Sequence, residues 1–152
     1  MTDDDCVFCA ILRHELTASR LYESETVLAF MDNDPVTVGH VLVVPKAHLP
    51  DLADLSDDLG SEMLTVARRV AAALRQSTLQ CEGINLFYAD GEAASQEVFH
   101  AHLHVFPRYK GDGSTIDARW GSNPTREELD DQAEQLRTAL AAEDGNRRRR
   151  SV

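Results

Sequence analysis

Cysteine and basic side chains are scarce in this 152-residue chain, and long apolar runs are missing from it. Three cysteines, two of them in Cys6-Val7-Phe8-Cys9, are too few for the disulfide framework that staples small secreted domains. The odd one, Cys81, reads as a semi-buried thiol without a role. Lys and Arg number 15 against 26 Asp and Glu, a formal net charge of −11 at pH 7. A nucleic-acid partner is therefore not expected, since phosphate backbones demand a basic face. A membrane partner is not expected either. No apolar stretch approaches the length of a span, and Met1-Thr2-Asp3-Asp4-Asp5 is acidic where a signal peptide is basic, so the expected location is cytoplasmic. With no internal repeat and no interdomain linker, and with 43% hydrophobic residues, the chain reads as one globular domain over residues 1–145 with room for a core. Residues 146–152, which contain Arg147 to Arg150, read as a solvated, disordered basic tail.

Within that domain the apolar pattern switches between two periods. Val27-Leu28-Ala29-Phe30-Met31 and His40-Val41-Leu42-Val43-Val44 read as strands joined by a loop carrying Pro35 and Gly39, and hence as an antiparallel pair. Ser56 is placed to cap a long helix over about residues 57–77, whose face of Leu59, Met63, Val66, Val70, Ala73 and Leu74 would cover the sheet. Ile84 to Tyr88 reads as a third strand, and Asp90-Gly91-Glu92-Ala93-Ala94 as the turn into another. Thr125 is placed to cap an amphipathic helix to about Leu140, packing on the domain or on a second subunit. The fold class is α+β: an antiparallel sheet with a long helix packed on it and a C-terminal helix.

His100-Ala101-His102-Leu103-His104-Val105-Phe106 is the most informative stretch. If it is a strand, the three histidines share one face, and Phe99, Ala101, Leu103 and Val105 take the other. The outer imidazoles then lie about 13 Å apart at ~3.3 Å per residue, with His102 midway. Six ring nitrogens on one face need partners, so the cluster reads as a site. A neutral imidazole is nucleophilic near pH 7 when its other nitrogen is held by an acceptor.

With its flanks, Ser95-Gln96-Glu97-Val98-Phe99 before and Pro107-Arg108 after, this stretch resembles the signature of the histidine triad family of nucleotide hydrolases and transferases, His-φ-His-φ-His-φ-φ with φ apolar. A second block, Phe30-Met31-Asp32-Asn33-Asp34-Pro35 with Gly39 to Pro45, is similar to the family's nucleotide-binding half. The resemblance extends over about residues 6–110. It implies the histidine triad (HIT) fold, a homodimer, and hydrolysis of nucleoside phosphoramidates, dinucleoside polyphosphates or adenylylated compounds to a nucleoside monophosphate through a covalent nucleotidyl-histidine. It makes His102 the nucleophile on the α-phosphate and gives His104 and His40 supporting roles at the phosphate oxygens or in the imidazole network. Gln96 falls near the bridging or leaving-group oxygen, with a turn-side polar contact as the alternative. Three histidines, with no glutamine at position 104, point to the hydrolase rather than the transferase branch. The expected ligand is an adenosine-type nucleotide: Asp32 accepts from the ribose hydroxyls, or else serves only as a strand-end turn residue, while Phe30, Met31 and Ile11 form a slot for the base. Many relatives carry Asn eleven residues before the first triad histidine. This chain has Ala89 there, followed by Asp90, which leaves Asn85 as the alternative donor. Positive potential for the anionic substrate is expected from Lys46, Arg108 and Lys110, which flank the motifs.

Cys6 and Cys9 can bite one zinc but leave its tetrahedral set incomplete. Many bacterial members of the family complete it with a histidine after the Pro-Lys strand end and with the first triad histidine. The resemblance thus implies a structural zinc on Cys6, Cys9, His48 and His100, against the alternative of two reduced buried thiols beside an unmetallated His48. No organic cofactor is expected, and His14 has no comparable support. Two further readings of the histidines stand beside the hydrolase: ligation of a catalytic metal by His102 and His104 in a metal-dependent phosphohydrolase, and a non-catalytic nucleotide-binding regulatory module.

Overall fold

Runs of β-branched and apolar residues build the sheet, and the polar stretches between them supply the turns. The computed structural model of the chain describes residues 3–114 and 123–150, the last seven of these as backbone only. In chain order its elements are α1 (Val7–Leu12), β1 (Arg20–Glu23), β2 (Val27–Met31), β3 (Val41–Pro45), α2 (Asp57–Gln76), β4 (Gly83–Phe87), β5 (Leu103–Arg108) and α3 (Arg126–Arg150), with short 3₁₀ turns at Asp3–Asp5, Leu52–Asp54 and Glu92–Ala94. Contacts divide the chain into two units, Met1–Ser114 and Thr115–Val152. Among the described residues no helix is long and apolar enough to cross a membrane.

The first unit is a five-stranded sheet in the order β1-β2-β3-β5-β4, antiparallel throughout. The expected hairpin is there, in register from Val27 opposite Pro45 to Met31 opposite Val41. Alternation sends Val27, Ala29, Val41, Val43 and Val105 to the face covered by α2, and Leu28, Phe30, Leu42 and Val44 to the face covered by α1. The helix α2 starts where the sequence predicts. The Leu59 N–H donates to the Ser56 hydroxyl at 3.3 Å, and Met63, Val66, Ala67, Val70 and Leu74 are buried. Ala73, expected on that face, is exposed, because at ~100° per residue it sits about 80° off the centre of the stripe.

Three features depart from the sequence reading. Neither β1 nor α1 was anticipated, since four and six residues are too few to show a period. The histidine stretch is not a strand from Phe99 onward. Pairing begins at Leu103, and the preceding residues turn, with the His100 N–H donating to the Val98 carbonyl at 2.9 Å and the Ala101 N–H to the Leu49 carbonyl at 2.6 Å. Only His104 of the three therefore lies on the strand. In the second unit, Thr125 and Glu128 form a reciprocal cap, the Thr125 N–H donating to the Glu128 carboxylate at 2.7 Å and the Glu128 N–H to the Thr125 hydroxyl at 3.2 Å. The helix they start continues through Arg150, so the boundary expected at residue 145 falls inside it and the backbone of the basic run is helical. Residues 151 and 152 of the expected tail lie outside the described residues. Leu129, Leu136 and Leu140 of α3 are exposed.

Candidate active site

The turn at residues 98–102 sends the three imidazoles to different work. His100 is fully buried and turned toward the amino-terminal cysteines. Its Nε2–H donates to the Pro45 carbonyl at 2.8 Å. That leaves Nδ1 as a lone pair, 3.5 Å from Cys6 Sγ and 3.4 Å from Cys9 Sγ. His48 Nδ1 stands 3.3 Å from Cys9 Sγ. The four ligand atoms all lie within 4.8 Å of one another. A tetrahedral zinc with bonds of about 2.0–2.3 Å has ligand-to-ligand edges of about 3.3–3.8 Å, so this donor set has the size and chemistry of a structural Cys₂His₂ site. Both thiols are buried and free. Burial, with Asp3 and Cys6 beside it, pushes the Cys9 thiol up, so a thiolate there calls for a cation.

His102 is held by its own neighbour. Its Nδ1–H donates to the His100 carbonyl at 2.6 Å. Nε2 is therefore the unprotonated nitrogen. Burial lowers its pKa against the raising effects of that hydrogen bond and of Asp32, which keeps the ring neutral at pH 7. The supporting pair is ordered in the same way. The Val36 N–H donates to His40 Nδ1 at 3.1 Å, so the His40 proton is on Nε2 and is donated to His104 Nδ1 at 2.9 Å. The His104 proton is consequently on Nε2, free for an anion. Burial, then the His102 and His40 imidazoles, depress His104 to about 4. The His102 and His104 rings stand 4.8 Å apart between centroids, closer than an extended row allows.

These histidines line a cavity of about 300 Å³ together with Phe8, Phe87 and the carboxylates Asp32, Asp34 and Glu97, at the small end of ligand pockets. Asp32 Oδ1 accepts from the Asp34 N–H at 3.0 Å, and Oδ2 lies 3.4 Å from His40 Nδ1. Asp32, His40 and His104 are a second group whose ligand atoms fall within 4.8 Å of one another.

Of the other residues singled out, several lie elsewhere. Gln96 is buried, and both ends of its carboxamide are engaged. Oε1 accepts from the Gly91 N–H at 2.7 Å, and Nε2 donates to the carbonyls of Pro50 at 2.9 Å and Val98 at 3.2 Å. It clamps the loop, and its neighbours Ser95 and Glu97 line the cavity instead. Phe30 and Met31 cannot share a slot, because adjacent strand residues face opposite ways. Phe30 and Ile11 are buried behind Phe8, whereas Met31 faces an apolar groove of about 450 Å³ under α2, on the far side of the sheet from the histidines. Asn85 accepts from Arg108 at 2.8 Å and is not on the cavity wall. Arg108 also pairs with Asp112 at 2.8 Å, and Lys46 with Glu23 at 2.7 Å, and neither is on the cavity wall. Lys110 is also absent from the cavity wall. Ala89 is buried, and Asp90 accepts from the Leu52 N–H at 2.9 Å. The sequence reading missed Phe8 and Phe87. The signal for Phe8 was its place inside Cys-x-x-Cys.

Comparison with known proteins matches residues 13–111 to the HIT domain. The chain is 38% identical to a crystallised HIT family protein from Bacillus anthracis, with a TM-score of 0.82 over 91% of this chain and 99% of that one. It is 42% identical to a Zn-bound histidine triad family protein from Mycobacterium smegmatis, with a TM-score of 0.72 over 95% of this chain and 99% of that one. A curated relative, adenylylsulfatase HINT3 of Arabidopsis thaliana, is 34% identical over 136 residues, 88% of this chain and 66% of its own length.

Proposed function

This chain belongs to the HIT domain family, and on that premise we propose that it is a nucleotide hydrolase. It cleaves nucleoside phosphoramidates, dinucleoside polyphosphates or adenylylated compounds and releases a nucleoside monophosphate, with an adenosine-type substrate preferred. The observation that carries this reading is the 2.6 Å hydrogen bond from His102 Nδ1–H to the His100 carbonyl, which fixes the tautomer with a lone pair on Nε2. Nε2 attacks the α-phosphorus, an N–P bond forms as the bond to the leaving group breaks, the leaving group takes a proton from solvent, and His102, keeping its Nδ1–H, becomes a nucleotidyl-imidazolium. Water then attacks phosphorus, the N–P bond breaks, and the proton water loses passes to solvent, which restores neutral His102. His104 Nε2–H, with its Nδ1 occupied by His40, donates to a phosphate oxygen as charge develops. Asp32 accepts from the ribose.

Cys6, Cys9, His48 and His100 hold a structural zinc in this reading, supported by the donor set and by the Zn-bound relative. When bound it supplies a crosslink between the amino-terminal segment and the histidine turn. A homodimer formed at the outer strand β4 is supported by the exposure of Leu86 and Phe87 there, and a cytoplasmic location goes with the reduced thiols.

The test is nucleoside monophosphate release from adenosine phosphoramidates and dinucleoside polyphosphates, with the wild type set against a folded His102→Ala variant. Turnover that falls by at least about 10³-fold in the variant is expected for loss of a nucleophile. Adenosine monophosphate binding without turnover of any compound by the wild type would replace the hydrolase with the binding module.

A further inference from the structure

One short helix carries two of the four metal-ligand candidates and one wall of the cavity. α1 is six residues long, too short to hold itself together in water. Its N-cap residue is Cys6, whose side chain makes no capping hydrogen bond and is turned to His100 Nδ1 instead. Cys9, three residues on, reaches both His48 and His100. Between the two cysteines, Phe8 sets its ring edge-on to His102 at 5.2 Å between centroids and to His100 at 5.8 Å, and lines the cavity. The aromatic wall beside the nucleophile is thus flanked on both sides by ligand candidates.

A second connection runs through the backbone. His100 offers its imidazole to the cysteine cluster and its carbonyl to His102 Nδ1–H, so one residue belongs to both sites. The Ala101 N–H, between the two histidines, donates at 2.6 Å to the carbonyl of Leu49, the residue after His48. Fixing the ligand residues therefore fixes the turn that aims the nucleophile.

We propose that a divalent metal on Cys6, Cys9, His48 and His100 is thermodynamically coupled to nucleotide binding, with Phe8 and the His100 carbonyl as the positioning groups that transmit the coupling. The inference rests on the His102 cavity being the nucleotide site. Metal binding stiffens α1 and residues 98–102 in the place that apolar packing already gives them, so a nucleotide that follows meets a wall already set and bears less of the ordering cost. A nucleotide held against Phe8 keeps the ligands together in return, and linkage makes the two factors equal. Apolar burial of Phe8 and Ile11 against Leu28, Phe30, Leu42 and Val44 keeps α1 on the sheet in the metal-free chain, which therefore serves as a folded reference.

Zinc and adenosine monophosphate are the probes. Calorimetric titration of the nucleotide into zinc-loaded and chelator-treated protein, each checked by circular dichroism, is expected to show binding at least about five-fold tighter with zinc. Competition for zinc against a chromophoric chelator is expected to show the same factor between nucleotide-saturated and nucleotide-free protein. Phe8→Ala, with Ile11 still holding α1 on the sheet, is expected to retain zinc binding, to bind the nucleotide more weakly, and to lose most of the coupling. Equal nucleotide affinity with and without zinc overturns the coupling and leaves the nucleotide reading intact. No nucleotide binding by the zinc-loaded chain overturns that reading, and the coupling falls with it. If the chelated chain loses its fold, the decision passes to the zinc competition: a zinc affinity that ignores the nucleotide, or one that shifts as much in Phe8→Ala as in the wild type, sinks the proposal.

Discussion

Gln96 illustrates what a single residue can hide. The resemblance pointed it to the leaving-group oxygen, with a turn-side polar contact as the alternative, and in this structure both ends of its carboxamide bond the turn, at Gly91, Pro50 and Val98. Replacing it with Leu strips the partner from the part-buried Gly91 N–H and Pro50 carbonyl, at a cost of up to about 1–3 kcal/mol for each group left unsatisfied, while the Val98 carbonyl keeps the His100 N–H. Urea unfolding of Gln96→Leu is expected to show a lower midpoint, whereas unchanged stability with a collapsed turnover would return the residue to the chemistry. The buried histidines give a second prediction. Burial depresses His104 to about 4 in the fold, against the ordinary histidine value of about 6.5, and lowers His40 and His102 too. Between those two pH values the unfolded chain binds more protons than the folded one. The stability held by neutral burial is therefore fully present above about 6.5 and is lost as pH falls through about 4. The urea midpoint should decline from pH 7 to pH 5, and His104→Gln should flatten that slope. A slope unchanged in the variant would assign the decline to other groups.

Elements long enough to display a period were legible, and those that were not depended on neighbours. α2 showed its stripe and its Ser56 cap, and β2 and β3 showed theirs as continuous apolar runs buried on both faces. α1 takes its place from contacts 90 residues away in the chain, Cys9 with His100 among them, which no local pattern contains. The loop before β3 depends on Gly39. Its φ of +93° is costly for a residue with Cβ, and an added Cβ would lie 2.9 Å from Leu79 Cδ1 and 3.1 Å from Pro107 Cγ. Gly39→Ala is expected to destabilise the fold by about 1–2 kcal/mol. It should also displace His40, the next residue. A variant as stable as the wild type in urea would show that the loop relaxes without strain.

Across the whole molecule, the proposed zinc joins the amino terminus, the end of β3 and the histidine turn, so its removal should be felt globally. Chelation is expected to lower the thermal midpoint by roughly 5–15 °C, taking 2–4 kcal/mol of linkage at 2–4 °C per kcal/mol for a chain of this size. An unchanged midpoint would mean that the cysteines stay unmetallated. The chain's residue order by itself determined the α+β class, the central hairpin, α2 and the chemistry of the histidines, because periodicity and donor type are local properties. It also carried the ligand quartet, through a resemblance rather than through any spacing that shows four distant residues meeting. The resemblance implied a role for each imidazole, and only the tertiary structure decided where each ring points. The turn at residues 98–102 rotates His100 away to the cysteines, leaves His102 hydrogen-bonded to its neighbour's carbonyl and starts the strand at Leu103. The same packing engaged Gln96, Asn85, Lys46 and Arg108 elsewhere and brought Phe8 to the cavity. A side chain's direction is set by the backbone and by long-range partners, and those exist only once the sheet has formed.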